Sequence, residues 1–473
     1  MNAPALNRYA GILPRDVPLS ILAVFIFAQI LAVFVAAAFD VSLFLPVLVA
    51  GIVFLVWSVQ KPHVWIFFVI VAHVVMLERS EGITLEEVIF GMYFFGVVAW
   101  WFVASLLRGE KIVSSFADKC ILVFFGLCLL SVLPALANQA DPVKWFRELL
   151  IFIPYLLYFP LRKWLLADRK VLISAGLGFL AFSLIIAVNN LLKYKTAAGA
   201  AIYTWQLVSG RQTANEPLFL TGVVVGLALF LYAKEWRARV LLLSLVAFFA
   251  VTLMLTFSRG YWVGLLIGMF VLAFIFKGKD RFRLVVVVPL LSLAAIGFFS
   301  TVFGFLGSSI LQSIPERLVS TGYVTRDVSF LSRLSEAEVV VNTIISNPIV
   351  GQGLGTFFRF HDPIQKSMYE TWYVHNGYLF LWMKTGLMGL AAFLLAYLAI
   401  IKTGWRIYKS DPTTFDAHLA AGIASVLVAM LVVSLTSPQF ITRDSILIIT
   451  MGWAAIGSAE IRSQQKPMSG NSE

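Results

Sequence analysis

The sequence contains few charged residues for its length. Asp, Glu, Lys and Arg make up 13% of the 473 residues, whereas 60% are hydrophobic. A soluble domain carries roughly twice that charged fraction. Apolar runs recur along the whole chain, and each is about 20 residues long, enough to cross a hydrocarbon core of roughly 30 Å. The composition therefore excludes an ordinary soluble protein and indicates a membrane protein with many spans.

Cysteine is also scarce, because Cys120 and Cys128 are the only two and both fall within one apolar run. They offer no disulfide framework and no metal-binding spacing, so we interpret them as small hydrophobic residues. The first apolar run is longer than the hydrophobic core of a signal peptide and has no clear cleavage site before it. We therefore expect this run to be retained as the first span.

Apolar windows predict about 12 to 14 transmembrane helices. The windows lie near 19–38, 42–59, 63–77, 88–107, 120–137, 148–161, 171–192, 216–233, 240–257, 261–276, 284–305, 377–401, 418–436 and 444–459. Most Lys and Arg residues occupy alternate short connectors, which the positive-inside rule assigns to the cytoplasm. The net charge of +11 thus reflects topology, and we expect no nucleic-acid partner. Both termini are predicted to be cytoplasmic.

Four segments follow from this topology. We predict N-terminal transmembrane helices over 1–305, one long outer loop with an amphipathic helix over 306–376, C-terminal transmembrane helices over 377–460, and a cytoplasmic tail over 461–473. Several basic residues lie on the outer side, where topology does not require them.

Arg259 lies in a tight outer turn, where two apolar spans meet with no room for an ordinary loop. One interpretation is an arginine that snorkels to lipid headgroups. The alternative is an anion site, because a guanidinium presents a fixed fork of donors that suits phosphate.

The outer loop contains a segment with helical periodicity. Its apolar positions are Leu334, Ala337, Val341, Ile344 and Ile345. Ser335 and Glu338 form a plausible capping box, which would put Arg333 at the helix start, where backbone N–H groups favour anions. The following segment Gly351–Gly355 resembles a nucleotide-binding loop, but it follows a helix, so we predict a turn.

His375 precedes a predicted span and could be structural, or could accept a proton from a hydroxyl as a general base. Further candidates for substrate binding are Arg211, Asn215, Asn376, Arg147 and Lys384. Lys384 lies within a span, where a cation is a functional hypothesis by default, although it could also snorkel. His361 and Asp362 could join His375 around a metal, but the spacing gives little support, and we predict no metal site.

Three segments, taken in order, resemble the O-antigen ligase and Wzy-type polymerase superfamily of bacterial membrane glycosyltransferases. They are Ser258-Arg259-Gly260 at an outer turn, Ser332-Arg333 followed by Asn347-Pro348 and Gly351–Gly355, and His375-Asn376 opening a span. Arg211 with Asn215 also resembles the family's Arg-to-Asn segment before a span, although the residues of this segment differ from the family's usual sequence. The similarity covers roughly 205–400.

The resemblance implies an all-α, polytopic, GT-C-like transmembrane bundle in the bacterial inner membrane, with a helical periplasmic loop and a periplasmic active site. It implies transfer of a glycan from undecaprenyl diphosphate to an acceptor hydroxyl, with inversion and without a metal or other cofactor. Arg259 and Arg333 would bind the diphosphate, and His375 would act on the acceptor. That acceptor would be lipid A core for a ligase in lipopolysaccharide biosynthesis, or a second lipid-linked glycan for a polymerase. A lipid or glycan transporter is a more distant alternative.

Overall fold

The structure is a computed structural model that describes residues 98–99, 101–200, 215–287, 297, 328–362 and 366–465. The spans predicted near 19–38, 42–59 and 63–77, and large parts of those near 88–107 and 284–305, lie outside these residues. Arg211 also lies outside them.

The described part of the chain is almost entirely helical. Its helices are α1 (Phe116–Leu130), α2 (Val132–Ala137), α3 (Pro142–Leu156), α4 (Tyr158–Ala167), α5 (Arg169–Ala200), α6 (Glu216–Tyr232), α7 (Trp236–Met254), α8 (Arg259–Ile275), α9 (Val328–Ser346), α10 (Gly377–Ser410), α11 (Phe415–Val433) and α12 (Arg443–Gln465). Within these residues, six helical segments are long and apolar enough to cross a membrane. The prediction of an all-α polytopic membrane bundle is confirmed.

Two short strands interrupt this pattern in the segment between α9 and α10. Strands β1 (Phe358–Asp362) and β2 (Ser367–Thr371) form an antiparallel hairpin, with Phe358 opposite Thr371 and Asp362 opposite Ser367. The predicted outer loop therefore contains a hairpin as well as the expected helix. The last helix continues to Gln465, five residues into the segment predicted as a tail.

The chain divides into two compact units, Met1–Ile112 with Lys163–Phe179, and Val113–Arg162 with Leu180–Glu473. Among the described residues of the first unit, the ammonium of Lys163 pairs with Glu110. The second unit holds every candidate site residue that the structure describes.

Helix α11 lies at the centre of the second unit, where it contacts α6, α8, α10 and α12. Small residues allow these close contacts: Gly264 of α8 packs on the side chain of Val433, and Gly422 of α11 packs on Ala228 of α6. Lipid offers no hydrophobic gain for helix association, so close packing at small residues is the usual means of holding such helices together.

A buried charged cluster joins α1, α4 and α12 at the opposite end of the unit from His375. Arg162 donates to Asp118 (2.8 Å), and the hydroxyl of Tyr158 donates to the same carboxylate oxygen (2.9 Å). Ser458 of α12 donates to the carbonyl of Arg162 (2.7 Å). Asp118 also completes a capping box with Ser115 at the start of α1, so one carboxylate supports both the helix end and the packing.

Helix α10 is broken at Gly386, whose backbone has φ 67° and ψ −178°. Gly386 lies nine residues beyond the start of α10, or about 13 Å along a helix. The break removes helical hydrogen bonds, and the freed N–H of Leu387 donates to the carbonyl of Pro348 (2.9 Å). Within a membrane span, non-helical backbone requires such internal partners.

The partner segment is the turn after α9, which inserts into the break in α10. The N–H groups of Gln352 and Gly353 donate to the carbonyls of Met383 (2.7 Å) and Lys384 (3.1 Å). The three glycines of the Gly351–Gly355 motif all have positive φ, and a β-carbon on any of them would overlap backbone atoms. Their respective neighbours are Gly386 of α10, Ala135 of α2 and Trp145 of α3. The prediction of a turn is confirmed, and its glycines serve close packing between backbones.

Helix α9 differs from the sequence-based prediction in two ways. It is already helical at Val328, so the capping box at Ser335 is wrong, and Arg333 lies inside the helix, where its N–H cannot be an unpaired helix-end donor. The predicted apolar face is also mostly exposed: Leu334 is 54% and Ile345 68% exposed, whereas Glu336 is buried. Apolar periodicity identifies the helix face that avoids water. In a membrane protein, lipid rather than protein can cover such a face, so an apolar face can be exposed on the protein surface.

We expect Gly386→Ala to destabilise the protein strongly. The added β-carbon would overlap the carbonyl of Ile349 in a backbone conformation that L-residues avoid. The free energy of unfolding should fall by about 3 kcal/mol. Gly126→Ala is the matched control, because Gly126 lies in α1 with no atom near its added β-carbon. That change should be neutral or stabilise by up to about 1 kcal/mol. Thermal unfolding in detergent measures both, and equal melting temperatures for the two variants would contradict the proposed role of the break.

Candidate active site

His375 is held by the buried carboxylate of Glu336 on α9. Its backbone N–H donates to Glu336 Oε1 (2.6 Å), and its ring Nδ1 lies 2.6 Å from Glu336 Oε2. The side chain of Glu336 is 3% exposed, whereas that of His375 is 42% exposed. An ionised carboxylate only accepts hydrogen bonds, so Nδ1 carries the hydrogen, and Nε2 of a neutral imidazole is left as the acceptor.

Asn376 fixes the start of α10 directly after His375. Its side-chain oxygen accepts from the N–H groups of Tyr378 (2.9 Å) and Leu379 (3.1 Å), which caps the helix. Its amide nitrogen donates to the carbonyl of Leu435 (3.2 Å). Asn376, predicted to bind substrate, therefore has a structural role that sets the position of His375; its contact with substrate stays a prediction.

Arg259 is the first residue of α8, and Ser258 is its N-cap. The preceding turn is tight, as predicted, and contains Phe257 in the left-handed region with φ 49°, which costs about 1–2 kcal/mol for an L-residue. Packing maintains this conformation, because Phe257 is buried with its ring against those of Trp262 and Tyr194. Strained backbone of this kind is concentrated at functional sites.

The segment Ser434–Thr442 connects Arg259 with His375. The N–H of Gly377 donates to the carbonyl of Ser434 (2.8 Å), and a β-carbon on Gly260 would lie 2.8 Å from the side-chain oxygen of Thr436. Ser434 and Thr436 are two residues apart, so their α-carbons are at most about 7 Å apart. The starts of α8 and α10 therefore meet at the same short stretch of chain.

Helix α9 connects Arg333 to the region around His375. It precedes Glu336 by three residues on α9, so the two side chains share one helix face. The helix is fixed to β1 on both sides of Arg333, since Ser332 donates to Asp362 (3.0 Å) and Ser335 donates to the carbonyl of His361 (3.0 Å). The structure thus places Arg333 one turn from the carboxylate that binds His375.

Asn215 lies at the same end of the bundle, directly before α6. It adopts φ 68°, a left-handed conformation that asparagine tolerates, and its amide nitrogen is 3.4 Å from a carboxylate oxygen of Asp444 at the start of α12. We use the term site face for the helix ends marked by Asn215, Ser258, Asn376, Ser434 and Arg443.

Lys384 is fully buried beside the break in α10. Its ammonium donates to Glu148 of α3 (3.0 Å) and to the carbonyl of Thr356 (2.5 Å). Both side chains of the pair are at most 6% exposed, so a substrate could reach Lys384 only by displacing these partners. Arg147, next to Glu148, is half-buried on α3. Substrate binding by Arg147 and Lys384 stays a prediction.

The hairpin residues considered as metal ligands have other surroundings. Asp362 is buried and accepts from Ser332, and His361 is exposed on β1. Among the residues that the structure describes, no group of three or more His, Cys, Asp and Glu side chains is arranged to hold a metal ion.

Glu336 is the site residue that sequence reasoning missed. An acidic residue in an amphipathic helix usually faces water, so its type gave no signal. Its position one turn after Arg333 was the available clue, because residues three apart share a helix face.

A family model described as O-antigen ligase matches residues 243–394. The resemblance to the O-antigen ligase and Wzy-type superfamily is confirmed. The matched residues, called here the ligase-family segment, cover about a third of the chain and include Arg259, Arg333 and His375. No curated protein matches the chain significantly. The ligase-family segment and the spanning helices together support a multi-pass membrane protein that processes glycans in an O-antigen ligase-like manner.

We expect Lys384→Met to destabilise the protein more than the double change Glu148→Gln with Lys384→Met. The single change leaves a buried carboxylate without its cation, which costs about 3–5 kcal/mol. The double change removes both charges, so the two effects should couple by at least about 1 kcal/mol. Arg359→Gln is the control, because it breaks an exposed pair with Glu370 that is worth less than about 1 kcal/mol. Unfolding of all variants in one detergent measures the coupling, and additive effects would exclude the pair as a stabilising contact.

Proposed function

We propose that the protein is an inverting, metal-independent membrane glycosyltransferase that moves a glycan from undecaprenyl diphosphate to an acceptor hydroxyl at the site face. The observation that supports the proposal is a set of contacts between the segments that hold the three predicted site residues. Arg259 is the first residue of α8, His375 lies directly before the N-cap of α10, and the starts of these two helices meet at Ser434–Thr436. Arg333 lies one turn from the glutamate that binds His375.

The chemistry requires a group that stabilises the leaving diphosphate. As the bond between the anomeric carbon and the diphosphate oxygen breaks, its electron pair goes to the diphosphate, which gains negative charge. Two guanidiniums, Arg259 and Arg333, can donate hydrogen bonds to those oxygens and stabilise the developing charge. This arrangement supplies the charge that a divalent metal supplies elsewhere.

The acceptor hydroxyl requires a base. Nε2 of His375 would take the hydroxyl proton while the acceptor oxygen attacks the anomeric carbon from the side opposite the diphosphate. The products are the new glycoside with an inverted anomeric centre, and undecaprenyl diphosphate.

The site face is expected to be periplasmic. The opposite ends of α6, α7, α8 and α10 carry basic residues in the terminal turn or directly beyond it, among them Lys234, Arg237, Lys277 and Lys409. The positive-inside rule assigns such basic helix ends to the cytoplasm, which supports a bacterial inner-membrane protein with its site facing the periplasm.

The match to a family described as O-antigen ligase favours lipid A core as the acceptor. The alternative is a Wzy-type polymerase, in which a second lipid-linked glycan is the acceptor and the same residues act. Transport is the distant alternative, and the structure gives it little support. Lys384, a cation within the span α10, is fully buried against Glu148, whereas a transport path would expose such a cation to water.

We expect Arg259→Gln, Arg333→Gln and His375→Ala each to reduce glycan transfer by about 10²–10⁴-fold, because each removes charge stabilisation or proton transfer at the reacting atoms. The assay uses purified protein, a lipid-linked glycan donor, and two acceptors in separate reactions: lipid A core and a second lipid-linked repeat. The product that forms separates ligase from polymerase.

Two matched variants control this experiment. Arg406→Gln removes an exposed arginine at the far end of α10, and His361→Ala removes an exposed histidine of the hairpin. Both should transfer glycan at the wild-type rate. Wild-type transfer by His375→Ala would eliminate the general-base role, and no transfer by the wild-type protein to either acceptor would contradict the proposed function.

We also expect transfer to continue after thorough treatment with EDTA, because the two arginines supply the positive charge at the diphosphate. The measurement compares initial rates before and after chelation, with and without added Mg²⁺ or Mn²⁺. A rate that collapses with EDTA and returns with either cation would refute the metal-independent mechanism.

A further inference from the structure

Helix α9 contributes the carboxylate of Glu336 to the candidate site. The sequence motifs that carry the family resemblance do not include this residue. Glu336 is 2% exposed, and both of its oxygens are bonded to one residue, His375. A buried carboxylate is costly to desolvate unless its partners are well placed. A pair of 2.6 Å contacts to a single half-exposed histidine therefore points to a specific role.

We propose that Glu336 is a positioning residue that fixes the tautomer and orientation of His375 for glycan transfer. The inference rests on the proposed function, since it assigns Glu336 to the same reaction. Glu336 does not touch the reacting atoms; it acts through the imidazole.

The two hydrogen bonds have separable consequences. The bond from the backbone N–H of His375 to Oε1 joins α9 to the start of α10, and this bond alone would serve as a structural anchor. The bond between Nδ1 and Oε2 does more, because it holds the hydrogen on Nδ1 and leaves the Nε2 lone pair for the acceptor hydroxyl. The ring of Tyr373 packs edge-on against His375 at 5.1 Å between centroids, which further restricts the imidazole.

In the reaction, the acceptor proton moves to Nε2 of His375 and produces an imidazolium. The Glu336 carboxylate stabilises that cation through the bond at Nδ1 and does not itself take the proton. The electron pair of the acceptor O–H bond forms the new bond to the anomeric carbon, and the pair of the old glycosyl bond leaves with the diphosphate. Protons and charge are then balanced without a further reactant.

The position of Glu336 is fixed by contacts on both sides along α9. Ser332 and Ser335 hold the helix to β1, and the turn that follows the helix is inserted at Gly386 of α10. The carboxylate is thus presented to His375 by a helix anchored to the same span that begins after His375. Preorganisation of this kind is what a positioning residue needs.

Glu336→Gln tests the tautomer directly because it keeps the size of the side chain. The amide oxygen can still accept from the backbone N–H of His375, but the NH₂ group then faces Nδ1 and can only donate. The neutral imidazole must turn Nδ1 into an acceptor and carry its hydrogen on Nε2, where it blocks proton uptake. Glu336→Asp keeps the charge and is too short to make both bonds.

In the transfer assay, we expect Glu336→Gln to lower kcat by about 10²–10⁴-fold, with KM for the lipid-linked donor changed less than about twofold. Glu336→Asp should recover part of the lost kcat. Glu338→Gln is the matched control, because Glu338 is an exposed glutamate on the same helix, and it should behave as wild type. The melting temperature of each variant in detergent separates an effect on chemistry from a loss of folded protein.

The second readout is the tautomer itself. The chain has only five histidines, so ¹⁵N-histidine labelling gives few ring signals, and the signal missing in His375→Ala identifies His375. We expect the Nδ1–H form in the wild type and the Nε2–H form in Glu336→Gln. This readout needs no substrate and does not depend on the proposed function.

The outcomes are distinguishable. Wild-type kcat in Glu336→Gln, or a lower kcat with an unchanged tautomer, would overturn the positioning role. If the wild-type protein transfers no glycan, the proposed function fails and the catalytic part of this inference fails with it, even where the tautomer changes as expected.

Discussion

The site depends on one backbone arrangement, the break in α10 at Gly386 and the turn that fills it. A break in a membrane span leaves polar backbone groups that lipid cannot bond. Here Pro348 and its neighbours supply those bonds, so the loop and the span complete each other. Because α9 leads into this turn, the helix that carries Arg333 and Glu336 is fixed to the span that begins just after His375.

The ion pairs of the second unit differ in how exposed their side chains are. The pairs within the bundle, Lys384 with Glu148 and Arg162 with Asp118, are buried and connect helices. At the site face, His375 remains 42% exposed although its carboxylate partner is buried. A buried hydrogen-bond acceptor behind an accessible imidazole is the arrangement that proton transfer from a bound hydroxyl to the imidazole requires. The buried pairs thus connect helices, and the half-exposed His375 with its buried partner is the pair to which we assign the proposed proton transfer.

The sequence predicted the features that depend on local pattern. The tight turn at Arg259 was predicted because two apolar runs adjoin there with no residues left for a longer loop. The predicted start of a span after His375 agrees with the helix cap formed by Asn376. The contacts of Glu336 with His375 and of Glu148 with Lys384 join residues 39 and 236 positions apart, so no periodicity reports them. The orientation of α9 was wrong for a physical reason: hydrophobic periodicity identifies a face that avoids water, and it does not distinguish a protein interior from lipid.

The docking of the Gly351–Gly355 turn has a consequence for chimaeric proteins. The turn contacts backbone at Gly386, Ala135 and Trp145, so the loop is not an independent module that can be exchanged at its two ends. A functional exchange between relatives must carry α2, the start of α3 and the first half of α10 together with the loop. A recombination boundary within these segments would combine a turn and neighbouring helices from different relatives, although the contacts between them leave no space for even one added methyl group. A boundary between α11 and α12 would keep the turn and its three neighbouring segments together.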